Sequence, residues 1–97
     1  MMDYRKAMTK VRRRYIVDLL GDDPDSGHNV HILCSALAEF GQDVRVDEMV
    51  AHANWLAEAG LVEFVHRDPP LVLRATDRGC AVADGKIRVS GVARPLR

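Results

Sequence analysis

The chain has 97 residues, of which 47% are hydrophobic and 29% charged, a balance typical of a single globular domain. Two cysteines are too few for a disulfide-stabilised scaffold, and no apolar run reaches the length of a membrane span. The charged N-terminus carries no apolar leader, so we expect a cytoplasmic protein without a membrane anchor.

The 14 basic and 14 acidic residues cancel, but they are distributed unevenly along the chain. The first 20 residues carry six basic side chains against Asp3 and Asp18. Residues 21–48 carry seven acidic side chains against Arg45 alone, and the remainder carries seven basic against five acidic. A polyanion could bind the basic parts, whereas the middle of the chain would repel it.

A first helix is predicted from about Asp3 to Leu20, because apolar residues recur there at spacings of three and four. The residues on this face are Tyr4, Met8, Val11, Tyr15 and Leu19, widened by Ala7, Ile16 and Leu20. The basic residues lie mostly off the face. Gly21 and the following DDPDSG are expected to end the helix in a polar loop.

A second helix is predicted from about Asn29 to Gly41, with Ser26 or Asn29 as its N-cap. Gly41 suits the left-handed conformation that often follows the last turn of a helix. The residues on its core face are Val30, Leu33, Cys34 and Leu37, with Phe40 at the edge.

A third helix is predicted to begin near Val46 or Asp47 and to stop at Gly60. Asp47 is the expected N-cap, and Glu48 favours the positive end of the helix. The predicted core face consists of Val46, Val50, Ala53 and Ala57, joined by Met49 and Leu56 on one flank.

After Gly60 the hydrophobic period changes from that of a helix to that of strands. Strands are predicted at Leu61–Arg67 and Leu71–Ala75, joined through RDPP, whose prolines cannot donate to a ladder. Thr76 can cap a last helix through about Lys86, with Cys80, Ala83 and Ile87 facing the core. Residues 1–88 are therefore predicted to form the domain, and residues 89–97 a loose C-terminal tail.

The resulting order is helix, helix, helix, strand, strand, helix, which predicts a mainly α fold with a β-hairpin in the winged helix-turn-helix layout. The segments WLAEAGLVEF and LRATDRG resemble the signature L-x-x-x-G-L-V … L-T-x-x-G of winged-helix regulators. The arsenic-repressor-like and multiple-antibiotic-resistance-regulator-like groups have this signature. An arginine-rich first helix, ALAEFGQDVRVDEM and VSGVARPLR are similar to a small protein family of Mu-like phages and prophages.

The resemblance implies a winged-helix protein that binds double-stranded DNA, as a phage or prophage transcriptional regulator or a DNA-associated accessory factor. The alternative is a winged-helix protein-interaction module in phage assembly or packaging, with little or no DNA binding. The resemblance also implies a homodimer, because such regulators commonly dimerise through their terminal helices. Interface candidates are Tyr4, Met8 and Trp55.

In helix-turn-helix proteins the second helix of the motif lies in the major groove. Here that helix is the third, and the wing is the hairpin. Candidate DNA contacts are Arg45, Glu48, His52 and Asn54 on the third helix, His66 and Arg67 on the wing, and Arg12 and Arg13 on the first helix. Asp47 and Glu48 count against this function, because a carboxylate a few ångströms from a phosphate is repelled by about 1 kcal/mol or more.

Each candidate also has a structural interpretation. The run Arg12–Arg14 splays around a helix, so it could be a solvated face or could pair with the DDPD loop. Trp55, almost opposite the predicted core face of its helix, is either covered by the wing or part of a protein–protein contact.

Neither a metal site nor a catalytic site is expected. His28, His31 and Cys34 are spaced by three and would drift around a helix, so Cys34 is expected to be a small buried hydrophobe. Cys80 is likewise expected in the core. Because the sequence contains no phosphate loop and no nucleophile–base pattern, we predict neither an enzyme nor a bound cofactor.

Overall fold

The computed structural model describes residues 3–95, so Met1, Met2, Leu96 and Arg97 of the predicted domain and tail lie outside the described residues. The elements are α1 (Tyr4–Asp22), β1 (His28–Asn29), α2 (Val30–Glu39), α3 (Val46–Glu58), β2 (Val62–His66), β3 (Val72–Ala75) and α4 (Asp77–Ala83). The strands form one antiparallel sheet in the order β1-β3-β2. This confirms the predicted winged-helix layout.

The short strand β1 was not predicted from the sequence. His28 lies opposite Leu73 and Asn29 opposite Val72, so β1 covers one edge of the wing. The other edge is β2, where Val62 lies opposite Ala75 on the core face. The two-residue strand joins the start of α2 to the wing.

The N-cap of α2 is Asn29, one of the two predicted candidates, and the N-cap of α4 is Thr76, as predicted. The side chain of Asn29 accepts a hydrogen bond from the Ile32 amide at 2.9 Å. The Thr76 hydroxyl accepts from the Gly79 amide at 3.0 Å and donates to the Gly60 carbonyl at 2.6 Å. Thr76 therefore ties α4 to the turn that follows α3.

The predicted N-cap of α3 is wrong. The cap residue is Arg45, whose amide donates to Oε1 of Glu48 at 3.1 Å. Asp47 instead accepts from the Glu48 amide at 2.9 Å and binds the Arg45 guanidinium. Glu48, three residues after the cap, therefore satisfies the amide of the cap residue, and Asp47 satisfies the Glu48 amide to which a capping side chain would otherwise bind.

Gly41 and Gly60 follow α2 and α3 with φ of +77° and +78°, as predicted. The amides of Gly60 and Leu61 donate to the Ala57 and Leu56 carbonyls at 3.0 and 2.9 Å, which closes the last turn of α3. A similar turn at Gly85 ends α4 at Ala83, earlier than the predicted Lys86.

Gly21 does not end α1, which continues to Asp22. A Cβ on Gly21 would lie 2.6 Å from Cβ of Ala83, so this glycine allows α4 to pack closely against α1. The glycine that was predicted to end α1 instead permits close contact between α1 and α4.

The core lies where the C-terminal half of α1, α2, α3, α4 and the inner face of the sheet meet. Its residues are Ile16, Val17, Leu20, Val30, Leu33, Leu37, Val44, Met49, Ala53, Leu56, Leu61, Val62, Leu73, Ala75 and Val82. The predicted face of α1 is only partly correct, because Tyr4 is 71% exposed and the half-buried Tyr15 lies at the edge of the core. On α3 the predicted flank, Met49 and Leu56, forms the centre of the buried face, while Val46 is 39% exposed.

The last helix presents Val82 to the core, rather than the predicted set of Cys80, Ala83 and Ile87, which are half-buried around it. The segment after it, residues 87–95, is called the C-terminal segment below. Contrary to the prediction of a loose tail, its part from Val89 to Ala93 is ordered against the domain, because Val89 and Val92 pack against the core. Within residues 3–95, no helix is both long and apolar enough to cross a bilayer.

The close contact of α4 with the turn after α3 gives a stability prediction. A Cβ on Gly79 would lie 2.0 Å from the Leu61 carbonyl oxygen, so Gly79→Ala should lower the free energy of unfolding by about 3 kcal/mol or more. Gly41→Ala, which meets no atom within 4 Å but requires a positive φ, should cost only about 1 kcal/mol. Urea unfolding of both variants checks this, and an equal loss would contradict the packing role of Gly79.

Candidate functional site

Helix α3 occupies the position of a recognition helix, and its solvent face is not basic. Asp47, Ala51, Asn54 and Glu58 are exposed on successive turns. Glu48, His52 and Trp55, which were predicted to point outward, are half-buried. The helix contains three carboxylates and neither lysine nor arginine.

Arg45, the residue directly before α3, is bound by Asp47. Its Nε and a terminal nitrogen lie 3.3 and 2.9 Å from the two carboxylate oxygens of Asp47. The hydrogen bond raises the pKa of Arg45, and the same bond holds the pKa of Asp47 below its ordinary value. The pair is solvent-exposed, and Arg45 reaches a base or a phosphate only by leaving a two-pronged ion pair.

Arg12 and Glu48 were both candidate DNA contacts, and the structure pairs them with each other. A terminal nitrogen of Arg12 lies 3.8 Å from Oε2 of Glu48, and Nε of Arg12 donates to Oε1 of Gln42 at 3.4 Å. Arg12 therefore links α1 to the beginning of α3 and to the loop before it.

Arg13 lies over Trp55. Its guanidinium carbon is 3.8 Å from the indole centroid, and a terminal nitrogen donates to the Gly91 carbonyl at 3.2 Å. A Cβ on Gly91 would lie 2.5 Å from Cζ2 of Trp55, so the C-terminal segment rests directly on the ring. Trp55 is thus covered by α1 and the C-terminal segment, whereas the sequence interpretation offered either the wing or a protein–protein contact as its cover.

His52 faces the same side of α3. Burial lowers its pKa below the ordinary 6.5, and the nearby charges of Arg13 and Arg12 lower it further, more than Glu48 raises it. The ring is therefore neutral at pH 7 and offers no positive charge to a phosphate.

The wing carries the two remaining basic candidates in exposed positions. The guanidinium carbon of Arg67 lies 4.4 Å from the Phe64 ring centroid, and Arg67 makes no ion pair with another described residue. His66 is exposed beside it, and so is Asp68 on the other side. Arg74 is paired with Glu63 at 2.6 Å, so the wing presents Arg67 as its free cation.

The predicted DNA contacts therefore do not form one surface. Arg12, Arg13, Glu48 and His52 meet between α1 and α3, Asn54 lies on the exposed face of α3, and His66 and Arg67 lie on the wing. Of the interface candidates, Tyr4 is exposed, and Met8 is half-buried beside the hollow that Arg12 and Glu48 share.

The structural role of Arg14 was not predicted. The residue is 2% exposed, and its side chain donates to the Val82 and Ala83 carbonyls at 2.8 and 3.2 Å. Nε lies 3.2 Å from the carboxylate of Asp18, one turn later on α1. The i, i+4 spacing of Arg14 and Asp18 is the sequence signal that could have indicated a fixed arginine.

Cys34 and Cys80 are half-buried free thiols. Burial, and then the charge of Glu48, raises the pKa of the Cys34 thiol, which disfavours the reactive thiolate. Across residues 3–95, histidine, cysteine, aspartate and glutamate side chains form no group of three that could hold a metal ion.

A relative from a bacteriophage matches nearly the whole chain. Over 88 residues the chain is 36% identical to gp26 of Escherichia phage Mu, an uncharacterized protein, and the match covers 91% of each chain. The chain belongs to the family of phage Mu gp26. This confirms the Mu-like phage relationship predicted from the sequence. No protein-family model and no solved structure matches the chain.

Because Trp55 is the single tryptophan, its fluorescence reports the contact with Arg13. Arg13→Ala should expose the indole, shift its emission to longer wavelength and destabilise the fold by about 1 kcal/mol through loss of the cation–π contact. Arg5→Ala removes an exposed arginine from the same helix and should leave the emission unchanged. Identical spectra for the two variants would rule out the stacking.

The lowered pKa of His52 predicts a pH dependence of stability. The unfolded chain takes up a proton near the ordinary pKa of 6.5, before the folded protein does, so the free energy of unfolding falls as pH drops below 6.5. His52→Gln should flatten this fall, as measured by urea midpoints between pH 7.5 and about 5.5. Asp47 acts separately, because its stabilising ionisation is lost only below its ordinary pKa of 3.8. Equal slopes for wild type and variant would contradict the buried neutral histidine.

Proposed function

We propose that this chain is a winged-helix protein-interaction module of a Mu-like phage, which binds another phage protein through the exposed face of α3. One observation carries the proposal: the helix in the recognition position has three carboxylates and no lysine or arginine. A role in assembly or packaging fits such a module better than base-specific regulation does.

Electrostatics disfavour insertion of this face into a DNA groove. Asp47 and Glu58 would approach the phosphates, and each such approach costs about 1 kcal/mol or more at surface dielectric. His52 supplies no compensating charge because it is neutral. Asn54 could read an adenine, a contact worth about 1–3 kcal/mol, but it would do so between two carboxylates.

The same face has the composition of a protein interface. Val46 is 39% exposed, and Val50 and Ala57 are half-buried along one edge of the face. Asp47 and Glu58 form an acidic rim beside this apolar strip. Apolar residues beside charged ones are typical of protein–protein contacts, and charge complementarity calls for a partner with basic residues beside an apolar patch.

DNA binding through the wing is the second candidate. It is supported by Arg67, exposed at the wing and free of ion pairs with other described residues, with His66 beside it. If the wing contacts a phosphate, Arg67→Ala should weaken DNA binding and reduce the slope of log affinity against log salt by about one unit. Mobility-shift titrations at two salt concentrations measure this, and an unchanged slope removes the wing from any DNA site.

Site-specific cross-linking tests the protein-interaction function. A photo-reactive amino acid at Ala51, in the exposed face of α3, should cross-link to one phage protein in an induced host that carries the phage. The same group at Glu39, exposed at the end of α2, is the matched control and should not. Cross-links to DNA, or to a second copy of the chain, from Ala51 would contradict the proposed partner; the second copy would instead favour the predicted homodimer.

The cross-linked protein, once purified, allows a charge test. Asp47→Lys combined with Glu58→Lys should weaken its binding at least tenfold in calorimetry, because a basic partner rim then meets like charge. Glu39→Lys changes an equivalent exposed carboxylate outside the face and should bind as the wild type does. Equal affinity for all three proteins would show that the acidic rim takes no part.

A further inference from the structure

We propose a second binding surface, which is positively charged, whereas the exposed face of α3 is acidic. It is a groove between the N-terminal half of α1 and the C-terminal segment that binds the phosphate backbone of double-stranded DNA. The proposal goes beyond the protein-interaction function and does not rest on it. The groove shares no residue with the exposed face of α3.

Two hydrogen bonds hold the C-terminal segment along α1. The Ala93 amide donates to the Lys10 carbonyl at 3.1 Å, and Arg13 donates to the Gly91 carbonyl at 3.2 Å. Between the helix and the segment lies a hollow of about 370 Å³, bordered by Lys10 on one side and by Arg88 and Arg94 on the other. The groove is therefore a built feature with cations on both walls.

A second hollow continues the groove along α1. It is lined by Arg5, Lys6, Thr9, Lys10 and Arg13, so Lys10 belongs to both hollows. Neither lining contains a carboxylate. The exposed cations of the combined surface are Arg5, Lys6, Lys10, Arg88 and Arg94.

These cations remain free although the chain has as many acidic as basic residues. Three arginines elsewhere form ion pairs, Arg12 with Glu48, Arg45 with Asp47 and Arg74 with Glu63, whereas Arg67 on the wing does not. Within residues 3–95, none of the five groove cations forms an ion pair. Because no carboxylate lines either hollow, this surface is strongly positive.

The free cations are also unfavourable for the helix that carries them. Lys6 and Lys10 repel each other across one turn, a like-charge spacing that destabilises an isolated helix. Arg5 and Lys6 lie at the positive end of the helix dipole, where the Asp3 cap is the nearest compensating charge. A bound polyanion would relieve both effects.

The lining favours a duplex backbone over other polyanions. Proteins that bind single strands stack bases on exposed aromatic rings, whereas the apolar lining here is aliphatic and largely covered: Val82, Ile87, Val89 and Val92. A membrane surface would also require exposed apolar side chains beside the cations. The exposed ring of Tyr4 lies outside the groove lining, in a neighbouring hollow that contains Glu48 and shares Arg5 and Thr9 with the second hollow. Contact with phosphates alone predicts binding that does not depend on base sequence.

The test is fluorescence anisotropy with a labelled duplex of mixed sequence between about 50 and 200 mM salt. The wild type should bind with a dissociation constant of about 1 to 100 μM at physiological salt. The triple variant Lys10→Gln, Arg88→Gln, Arg94→Gln should reduce the salt slope by about three units, since each lost phosphate contact removes about 0.9. The control triple Arg74→Gln, Arg78→Gln, Lys86→Gln has the same net charge, lies outside both hollows and should keep the wild-type slope.

Three results would contradict DNA binding by the groove. The wild type could fail to bind the duplex, or the control triple could lose the slope while the groove triple keeps it. Binding that requires the groove cations could also be confined to vesicles of phosphatidylserine and phosphatidylcholine. Thermal unfolding of both triples verifies that they fold. The cross-link from Ala51 is read separately, so the groove and the protein-interaction function can fail independently.

Discussion

The contact of Arg13 with Trp55 determines which surfaces of this protein are open. The guanidinium lies between the indole of α3 and the carbonyl of Gly91, so it joins α1, α3 and the C-terminal segment at one point. The side of α3 that carries Glu48, His52 and Trp55 is consequently closed against α1. The adjacent side of α3, which carries Ala51 and Asn54, remains exposed, and the C-terminal segment is held beside Lys10.

The zero net charge conceals two surfaces of opposite sign. Ion pairs neutralise Arg12 and Arg45 near α3, and the carboxylates left on its exposed face are Asp47 and Glu58. In the groove between the N-terminal half of α1 and the C-terminal segment, the five exposed cations have no such partners within residues 3–95. A protein with these two surfaces could hold DNA on one and a phage protein on the other, which unites the two functions that the sequence left as alternatives.

Local signals predicted the elements, and non-local contacts account for what they missed. Caps at Asn29 and Thr76 and the glycines after α2 and α3 are readable because their hydrogen bonds span a few residues. The strand β1 is too short for a periodicity and exists through its pairing with β3. The candidate site was predicted less well, since the partners of Arg12, Arg13 and Trp55 are distant in sequence. Fold analogy located the helix correctly but could not reveal which of its sides is covered.

Helix stability and DNA affinity make opposite demands on the beginning of α3. Asp47 and Glu48 stabilise the helix, because their negative charges lie at its positive end and Glu48 accepts the free Arg45 amide. A recognition helix presents the same first turn to DNA, where these charges meet phosphates. The residues at this position favour helix stability. Arg45, the nearest compensating cation, is bound to Asp47 and is therefore not free to contact DNA. The winged-helix layout thus determines where α3 lies, whereas the negative charge of its first turn favours a protein over DNA as its partner.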